Sequence, residues 1–257
     1  MWIEGPLRGK VALVTGAGSG GIGRAICSRL AAHGAAIAAL DLDPAGLDAT
    51  VTELSGTGVP VQSIAVNIAD AMLLDQAVDR AVDVLGEIDI LINCAGVVDK
   101  AKAIIDTSDE DWDRVFAVNV RAPFRLIRKV APGMMRKRAG RIVNITSSSA
   151  HRARQSLPAY GASKSALMQL TRSAAAELGT HDINVNAIAP GLTKTPMLGA
   201  AFDEAMVEEL LREGPLANLL GRVSLPDDIA EVALFLCLPA SRQITAQTIH
   251  VSAGAVV

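Results

Sequence analysis

Short apolar segments alternate with amphipathic segments along the chain. Seven runs rich in Val, Ile, Leu and Ala are typical of buried strands, at residues 11–15, 36–40, 61–66, 88–92, 141–146, 183–188 and 247–251. The stretches between them place apolar residues three and four positions apart, which is typical of helices; examples are 22–33, 70–85, 157–178 and 226–237. This alternation predicts an α/β fold, with a doubly wound sheet of about seven parallel strands flanked by helices.

The pattern continues without an obvious domain boundary. No linker, charge block or internal repeat divides the chain, so we expect residues 1–257 to form a single domain. Residues 190–225 interrupt the alternation, because they are rich in Pro and Gly and fit no strand. Long loops are usually functional, which predicts a substrate lid whose amphipathic piece, Phe202–Leu211, folds over a ligand; a passive surface loop is the alternative.

Composition narrows the class of protein. Hydrophobic residues make up 50% of the chain and aromatic residues only 3%, so the core must be built from aliphatic faces. A net charge of −3 and so few aromatic rings argue against a nucleic-acid partner. The N-terminal residues are unlike a signal peptide and no apolar run approaches the roughly 18 residues that span a bilayer, so we expect a cytoplasmic protein without a membrane partner.

The three cysteines and four histidines show no spacing typical of metal ligands, so no metal site is predicted. Cys27, Cys94 and Cys237 are widely spaced, and we interpret them as buried structural thiols. A catalytic Cys94 with a histidine base is the alternative.

A glycine-rich turn follows the first predicted strand. The strand VALVT runs into Gly16-Ala17-Gly18-Ser19-Gly20-Gly21-Ile22-Gly23, and a helical segment begins at once. Glycines let the backbone turn tightly against a pyrophosphate, and the free N–H groups at the helix start favour its negative charge. Strand, glycine turn and helix in this order predict a Rossmann-like dinucleotide site.

An acidic residue, Asp41, ends the second predicted strand. Its carboxylate can accept hydrogen bonds from the adenosine ribose hydroxyls and would repel a 2′-phosphate. No Arg or Lys lies in the glycine turn or directly after Asp41 to bind that phosphate. The sequence therefore favours NAD over NADP; the alternative is that Asp41 or Asp43 only starts the turn before Pro44.

Tyr160 and Lys164 stand four residues apart in a predicted helix and therefore share one face. A nearby ammonium is expected to lower the pKa of the phenol from about 10 toward neutrality, which would make Tyr160 a general acid or base. Ser147 lies at the C-terminal end of the strand RIVNIT, at the edge where ligands bind in open α/β sheets. Its hydroxyl is a candidate to orient a substrate oxygen, and Ser148 and Ser149 compete for that role.

Together these features resemble the short-chain dehydrogenase/reductase family over nearly the whole chain. The resemblance is carried by the turn from Thr15-Gly16 to Gly23, Asn93-Cys94-Ala95-Gly96 after the fourth strand, Asn119 in FAVNV, Ser147, YGASK, and Pro190-Gly191 leading to Thr195. It implies that Tyr160 is the general acid/base and that Ser147 hydrogen-bonds the substrate. It also implies that Lys164 binds the nicotinamide ribose, that Asn119 holds a water in a proton relay, and that Thr195 hydrogen-bonds the carboxamide.

The predicted catalytic residues are therefore Asn119, Ser147, Tyr160 and Lys164. The predicted cofactor-binding residues are Gly16, Ser19, Gly21, Ile22, Gly23, Asp41, Asn67, Asn93, Ala95, Gly96, Tyr160, Lys164, Pro190, Gly191, Thr193 and Thr195. The chain departs from the family pattern at four places: an extra residue in the glycine turn, Asn67 for an acid, Cys94 for an asparagine, and Val251-Ser252-Ala253-Gly254 for the ending VDGG. The extra residue leaves either Gly20 or Gly21 as the pyrophosphate contact.

The predicted reaction is NAD-dependent interconversion of a secondary alcohol and a ketone by hydride transfer. The alternatives are an NADPH-dependent 3-oxoacyl-type ketone reductase and a non-catalytic dinucleotide-binding protein. The partner is expected to be a small-molecule alcohol or ketone, and an acidic substrate stays open because of Arg152, Arg154, Lys100 and Lys102. The resemblance further implies a homotetramer or homodimer built on long helices at about 108–137 and 157–178.

Overall fold

The structure is a computed structural model that describes residues 5–100, 102–199, 207, 211 and 217–256. Its strands are Val11–Thr15 (β1), Ala36–Asp41 (β2), Val61–Ala65 (β3), Ile90–Asn93 (β4), Gly140–Ile145 (β5), Ile183–Pro190 (β6) and Thr248–Val251 (β7). Its α-helices are Ile22–Ala32 (α1), Pro44–Leu54 (α2), Ala71–Leu85 (α3), Asp109–Phe116 (α4), Ala122–Lys137 (α5), Pro158–Leu178 (α6), Pro196–Gly199 (α7) and Pro226–Cys237 (α8).

The described strands form one parallel sheet of seven strands in the order β3-β2-β1-β4-β5-β6-β7. The chain builds outward from β1 to β3, then returns to the other side of β1 with β4. The direction of winding therefore reverses between β1 and β4, where the crossover loops diverge and leave a crevice at the carboxyl ends of the strands. The predicted fold class is confirmed, and this crevice is where a ligand site is expected.

Helices cover both faces of the sheet, because parallel strands need a crossover for every return. On one face, Leu74 of α3, Leu126 of α5 and Leu178 of α6 belong to one buried apolar cluster. On the other face, Ile26 of α1 and Ile229 of α8 belong to a second cluster. Aliphatic side chains fill both layers, as the composition requires. None of the helices in the described part of the chain is long and apolar enough to cross a membrane.

The predicted long helix at 108–137 is interrupted in the structure. Helices α4 and α5 are joined by a π-helical segment, Ala117–Arg121, with five-residue hydrogen bonding. A π-segment widens one turn of a helix and is common at functional sites. Its centre is Asn119, which is completely buried.

The predicted lid falls largely outside the described residues. Within 190–225, the structure describes 190–199, 207, 211 and 217–225, so most of the amphipathic piece Phe202–Leu211 is not covered. Two backbone hydrogen bonds join the two ends of the 190–225 segment. The N–H of Lys194 donates to the carbonyl of Ser224 (2.9 Å), and the N–H of Ser224 donates to the carbonyl of Leu192 (2.9 Å). Closure of the segment over a ligand stays a prediction.

Candidate active site

A cavity of about 700 Å³ opens at the carboxyl edge of the sheet, in the size range of pockets that hold cofactors and small ligands. Among the predicted site residues, its wall contains Gly16, Ser19, Gly21, Ile22, Gly23, Asp41, Asn67, Ala95, Gly96, Ser147, Tyr160, Lys164, Pro190, Gly191, Thr193 and Thr195. Asn93 and Asn119 are not part of this wall. The carboxyl ends of the strands thus gather residues from most of the chain into one site.

Two glycines of the turn are fixed by close backbone contacts. Gly16 has a φ of 74°, and a Cβ there would lie 2.9 Å from the backbone N of Ala95. A Cβ on Gly23 would collide with the carbonyl oxygen of Gly16. Only glycine fits at these two positions, and the backbone is thereby left bare beside the cavity.

Of the two candidates for the pyrophosphate contact, Gly21 lies in the cavity wall. It is the N-cap of α1, gives that helix no side-chain cap, and would place a Cβ 3.4 Å from Cγ2 of Thr195. Gly20 precedes it with a φ of 70°, so its role is to turn the chain. The helix start without a capping side chain and the space left by the missing side chains fit a pyrophosphate.

Asp41 connects the end of β2 to the glycine turn. Its carboxylate accepts hydrogen bonds from the N–H of Gly18 (2.8 Å) and the N–H of Asp43 (3.1 Å). Sequence reasoning missed a cation beneath the turn: Arg24 donates to the carbonyl of Gly18 (2.6 Å) and to that of Gly46 (3.0 Å). Asp41 therefore shapes the turn as well as facing the cavity.

The structure places Asn93 away from the cavity. Its Nδ2 donates to Oδ1 of Asn144 on the neighbouring strand (2.7 Å), and Nδ2 of Asn144 donates in turn to Oγ1 of Thr171 (2.9 Å). The two asparagines are paired in the sheet register. The side chain of Asn93 thus links β4, β5 and α6, and direct contact with a cofactor is not supported for it.

Asn119 also lies behind the wall, where it holds the loop after β4. Its Oδ1 accepts from the N–H of Val97 (2.9 Å), and its Nδ2 donates to the carbonyl of Val97 (2.9 Å) and to Oγ of Ser163 (3.0 Å). The side chain amide is fully engaged by the protein. Any water in a relay would have to bind elsewhere on this residue, so that role stays a prediction.

The catalytic candidates meet at one end of the cavity. Lys164 is buried, and its Nζ donates to the carbonyl of Ile145 at the end of β5 (2.9 Å) and lies 5.7 Å from the ring centroid of Tyr160. The hydroxyl of Ser147, two residues beyond β5, lies in the same wall, close enough to the phenol of Tyr160 to lower the pKa of that phenol. The four-residue spacing on α6 and the end of β5 therefore bring all three side chains together.

Ser147 is separated from its competitors by position. Ser147 lies in the cavity wall, whereas Ser148 and Ser149 do not. The N–H of Ser149 donates to Oγ of Ser147 (3.1 Å), which holds that hydroxyl at the start of the following turn.

Burial controls the pKa values at this site. Desolvation raises the pKa of Tyr160, and the hydrogen bond from Ser147 opposes this rise. Desolvation lowers the pKa of Lys164 to about 8. The expectation that Lys164 draws the pKa of Tyr160 below its ordinary value is therefore wrong for this structure, because desolvation is the largest influence on the phenol and raises its pKa.

Comparison with known proteins identifies the family. A family model described as enoyl-(acyl carrier protein) reductase matches residues 16–256. The short-chain reductase protein NovJ of Streptomyces niveus is 36% identical over 247 residues, which cover 95% of this chain and 93% of that protein. The chain belongs to the short-chain dehydrogenase/reductase family. As a member of this family, the protein is an oxidoreductase.

Other short-chain dehydrogenases/reductases that match carry different activities in their names. The 3-oxoacyl-[acyl-carrier-protein] reductase FabG of Thermotoga maritima is 36% identical over 98% of this chain and 99% of its own length. A crystallised 7α-hydroxysteroid dehydrogenase, in complex with NADH and 7-oxo glycochenodeoxycholic acid, is 34% identical and superposes with a TM-score of 0.90 over 97% of this chain and 95% of its own. The family is therefore established, whereas similarity to these proteins does not identify the substrate.

In this short-chain dehydrogenase/reductase, the position of Cys94 differs from the expectation that all three cysteines are buried structural thiols. Cys27 and Cys237 are buried, as predicted, but Cys94 is only partly buried and lies in the cavity wall. Desolvation raises the pKa of Cys94 to about 12, although Lys164 opposes this rise. The thiol is therefore protonated at neutral pH and is a poor nucleophile. Among the described residues, no group of His, Cys, Asp and Glu could hold a metal ion.

The cations considered for an acidic substrate are engaged elsewhere. Arg152 donates to the carbonyls of Ala217 (3.3 Å) and Ala255 (2.8 Å). Lys100 and Lys102 lie 3.2 and 3.7 Å from the carboxylate of Asp111. None of these three cations, nor Arg154, lies in the cavity wall.

The roles of two side chains of this family member were not predicted from the sequence. Oγ1 of Thr15 accepts from the N–H groups of Cys94 and Ala95 (3.1 Å each) and so fixes the loop that passes the cavity. Asp99 is buried in the wall, and its carboxylate accepts from the N–H groups of Ala159 (2.9 Å) and Tyr160 (2.7 Å). An acid three residues after Gly96 was a visible signal, but its partners lie about 60 residues further along the chain.

Proposed function

We propose that this protein is an NAD-dependent oxidoreductase that interconverts a secondary alcohol and a ketone by hydride transfer. The observation that carries the proposal is the phenol of Tyr160 in the cavity wall together with Ser147, with Lys164 one helical turn further along α6. A bound nicotinamide would supply or accept the hydride. A phenol beside a serine hydroxyl is suited to moving the matching proton.

The residues of the chain would divide the work as follows. Ser147 donates a hydrogen bond to the substrate oxygen, and Tyr160 gives a proton to that oxygen in reduction or removes it in oxidation. Lys164 holds the cofactor ribose, and the backbone amides of the glycine turn hold the pyrophosphate. Thr195, which lies close to Gly21, hydrogen-bonds the carboxamide in this proposal, and Asn119 keeps the loop after β4 in place.

Asp41 supports the choice of NAD over NADP. Its carboxylate faces the cavity at the end of β2, where it would repel a 2′-phosphate and accept hydrogen bonds from ribose hydroxyls. The structure solved with NADH is a similar protein, which is consistent with this choice. A 3-oxoacyl-type reductase that uses NADPH is the second candidate, since relatives of that activity are 36% identical to this chain.

The substrate end of the cavity favours a neutral substrate with an apolar body. The wall contains the apolar residues Val98, Leu157, Leu192 and Met197, and its charged residues beside Tyr160 are Lys164, which donates to the carbonyl of Ile145, and the acid Asp99. Apolar walls bind hydrocarbon, and a carboxylate in the wall disfavours anions. We therefore place hydroxysteroid-like and alicyclic alcohols ahead of hydroxy acids.

Cofactor choice is tested by fluorescence titration with NADH and NADPH. We expect tighter binding of NADH, and Asp41→Ala should reduce the preference; Asp48→Ala, on the exposed side of α2, is the control. A clear preference of the wild type for NADPH would contradict the proposal in favour of the second candidate.

The reaction is tested by a screen of secondary alcohols, polyols, hydroxysteroids and hydroxy acids with NAD. Tyr160→Phe keeps the ring and removes the hydroxyl, so we expect at least a hundredfold loss of kcat. Ser149→Ala, next to the site but outside the cavity wall, is the control and should retain activity. Retention of most activity by Tyr160→Phe would show that another group carries the proton.

We further propose that the protein is cytoplasmic and forms a homotetramer or homodimer through α4, α5 and α6. Apolar side chains on these helices support the assembly: Trp112 stacks on Phe116 with ring centroids 4.8 Å apart, and Phe124 is exposed on α5. Exposed aromatic side chains of this kind are enriched at protein interfaces.

A further inference from the structure

Asp99 connects the loop after β4 to the first turn of the catalytic helix α6. Its side chain is 93% buried, and each carboxylate oxygen accepts one backbone hydrogen bond: Oδ2 from the N–H of Ala159 (2.9 Å) and Oδ1 from the N–H of Tyr160 (2.7 Å). The second of these donors belongs to the residue that we propose as the proton carrier.

Asp99 takes the place of a local helix cap. The first N–H groups of a helix have no partners within it, and a Ser, Thr, Asp or Asn at the N-cap normally satisfies the second and third. In α6 the N-cap is Leu157, which offers no side-chain hydrogen bond, and the first residue is Pro158, which has no N–H. The next two donors are the ones that Asp99 accepts, and the N–H of Gly161 bonds to the carbonyl of Leu157 (3.1 Å).

The N-cap position of α6 is occupied by a residue of the cavity wall. Leu157 lies in the apolar substrate end, so a polar cap there would put a hydrophilic group against the substrate. The carboxylate of Asp99, in the loop after β4, caps the helix instead. A buried carboxylate without partners is costly, so these two hydrogen bonds fix the position of α6 relative to the loop that carries Asp99.

The loop that carries Asp99 is itself held firmly. Asn119 bonds to both the N–H and the carbonyl of Val97, and Nη2 of Arg114 donates to the carbonyl of Val98 (2.9 Å). Directly before them, Gly96 lies beside the cavity, where a Cβ would come within 3.2 Å of Nζ of Lys164. The position of Tyr160 is thus tied to the segment that borders the cofactor end of the cavity.

We propose that Asp99 is a positioning residue for catalysis: it holds the first turn of α6 so that the phenol of Tyr160 stays in the cavity wall beside Ser147. This inference rests on the proposed function, because it assigns Asp99 a role through the proton carrier. It requires that loss of Asp99 changes turnover and the environment of the phenol more than it changes cofactor binding.

The protein contains a built-in probe for this role, since Tyr160 is its only tyrosine. In a sample labelled with ¹³Cζ-tyrosine, one resonance reports the ionisation of the phenol without any substrate. The titratable groups that share the described cavity wall with it are Asp41, Cys94, Asp99 and Lys164. Because burial raises the pKa of Tyr160, a loosened first turn should bring that pKa down toward the ordinary value.

The test compares Asp99→Ala and Asp99→Asn with matched variants at Asp70. Asp70 caps α3 in the same way, since its Oδ1 accepts from the N–H groups of Met72 (2.9 Å) and Leu73 (3.0 Å), but it lies outside the cavity wall. For Asp99→Ala we expect kcat to fall about 10- to 100-fold, NADH affinity to change less than about twofold, and the pKa of Tyr160 to fall. Asp99→Asn keeps one acceptor oxygen and should lie between wild type and Asp99→Ala.

The outcomes separate this inference from the proposed function. If both Asp99 variants match the Asp70 variants in kcat and in the pKa of Tyr160, Asp99 only stabilises the fold and the inference is overturned. If Asp99→Ala does not fold, the same two readouts on Asp99→Asn decide. If the wild type oxidises none of the alcohols, the proposed function fails, and the tyrosine titration still decides whether Asp99 positions the phenol.

Discussion

Tyr160 should determine how turnover depends on pH. Burial raises the pKa of its phenol, so the phenolate fraction of the free enzyme falls about tenfold for each pH unit below that pKa. Alcohol oxidation needs the phenolate as base, and ketone reduction needs the phenol as acid. We therefore expect kcat/KM for oxidation to rise with pH between about pH 6 and 9 while that for reduction stays level. Profiles measured in both directions check this, and a flat oxidation profile would contradict it.

The buried ammonium of Lys164 should lower the free energy of unfolding at neutral pH. Burial lowers its pKa from 10.5 to about 8, so the unfolded chain binds this proton more tightly than the folded chain. The penalty is complete below about pH 8 and disappears as the pH rises toward 10.5, with a span of up to about 3 kcal/mol. Relative to Lys164→Met, the wild type should gain free energy of unfolding between pH 7 and 10. Urea unfolding at several pH values measures the difference, and a constant difference would rule this linkage out.

Gly23 is the glycine of the turn that should tolerate substitution least. A Cβ there meets the carbonyl oxygen of Gly16, so Gly23→Ala must displace either α1 or the turn. We expect a loss of NADH affinity of tenfold or more together with a lower melting temperature. Gly56→Ala is the matched control, because a Cβ at Gly56 has no heavy atom within 4 Å. Equal NADH affinity in the two variants would show that the turn is more pliable than its contacts indicate.

At the scale of elements, the π-segment Ala117–Arg121 supports the loop after β4 through one side chain. Asn119 satisfies both the N–H and the carbonyl of Val97 in a fully buried position. Asn119→Ala should leave these groups without partners and lower the free energy of unfolding by about 2 kcal/mol or more. It should also reduce kcat, because that loop carries Asp99. Calorimetry and steady-state kinetics test both effects, and an Asn119→Ala variant as stable and as active as the wild type would contradict them.

The local sequence pattern predicts where most helices begin and end, but it does not predict the π-segment that separates α4 from α5. Helix α6 was expected at 157–178 and spans Pro158–Leu178. The family resemblance implies one long helix at about 108–137, and a π-segment shifts the helical face by one residue without removing helix-forming residues. The shift is stabilised by the buried hydrogen bond between Asn119 and Val97. Because Val97 lies 22 residues away, the local pattern does not reveal this contact.

At the scale of the whole molecule, the exposed aromatic side chains of α4 and α5 predict assembly. Phe124→Asp should lower the mass of the particle toward that of a monomer, because a buried unpaired carboxylate opposes association. Val84→Asp, a similarly exposed apolar position on α3, should leave the mass unchanged. Light scattering on the eluted particle measures both variants. A monomeric wild type, or dissociation by Val84→Asp alone, would contradict the proposed interface.

Most of the site residues predicted from the sequence lie in the cavity wall, because the site lies where parallel strands end. The glycine turn, Asp41, Gly96, Ser147 and Gly191 each follow a strand in the chain, and strand ends meet at one edge by topology. Asn93 also follows a strand, but its side chain turns to Asn144 on the next strand and lies outside the cavity wall, so its contact with a cofactor stays a prediction. Which way a strand-end side chain points depends on its neighbours across the sheet.

The sequence by itself determined the α/β class, the seven strands, the glycine turn and the shared face of Tyr160 and Lys164. All of these depend on local periodicity or short spacing, which the chain carries within a few residues. Only the tertiary structure decided that Asp99 caps the helix of Tyr160, that Cys94 faces the cavity, and that burial raises rather than lowers the pKa of the phenol. Those properties arise from contacts between distant segments and from the exclusion of water, and neither is encoded in the spacing of residues along one segment.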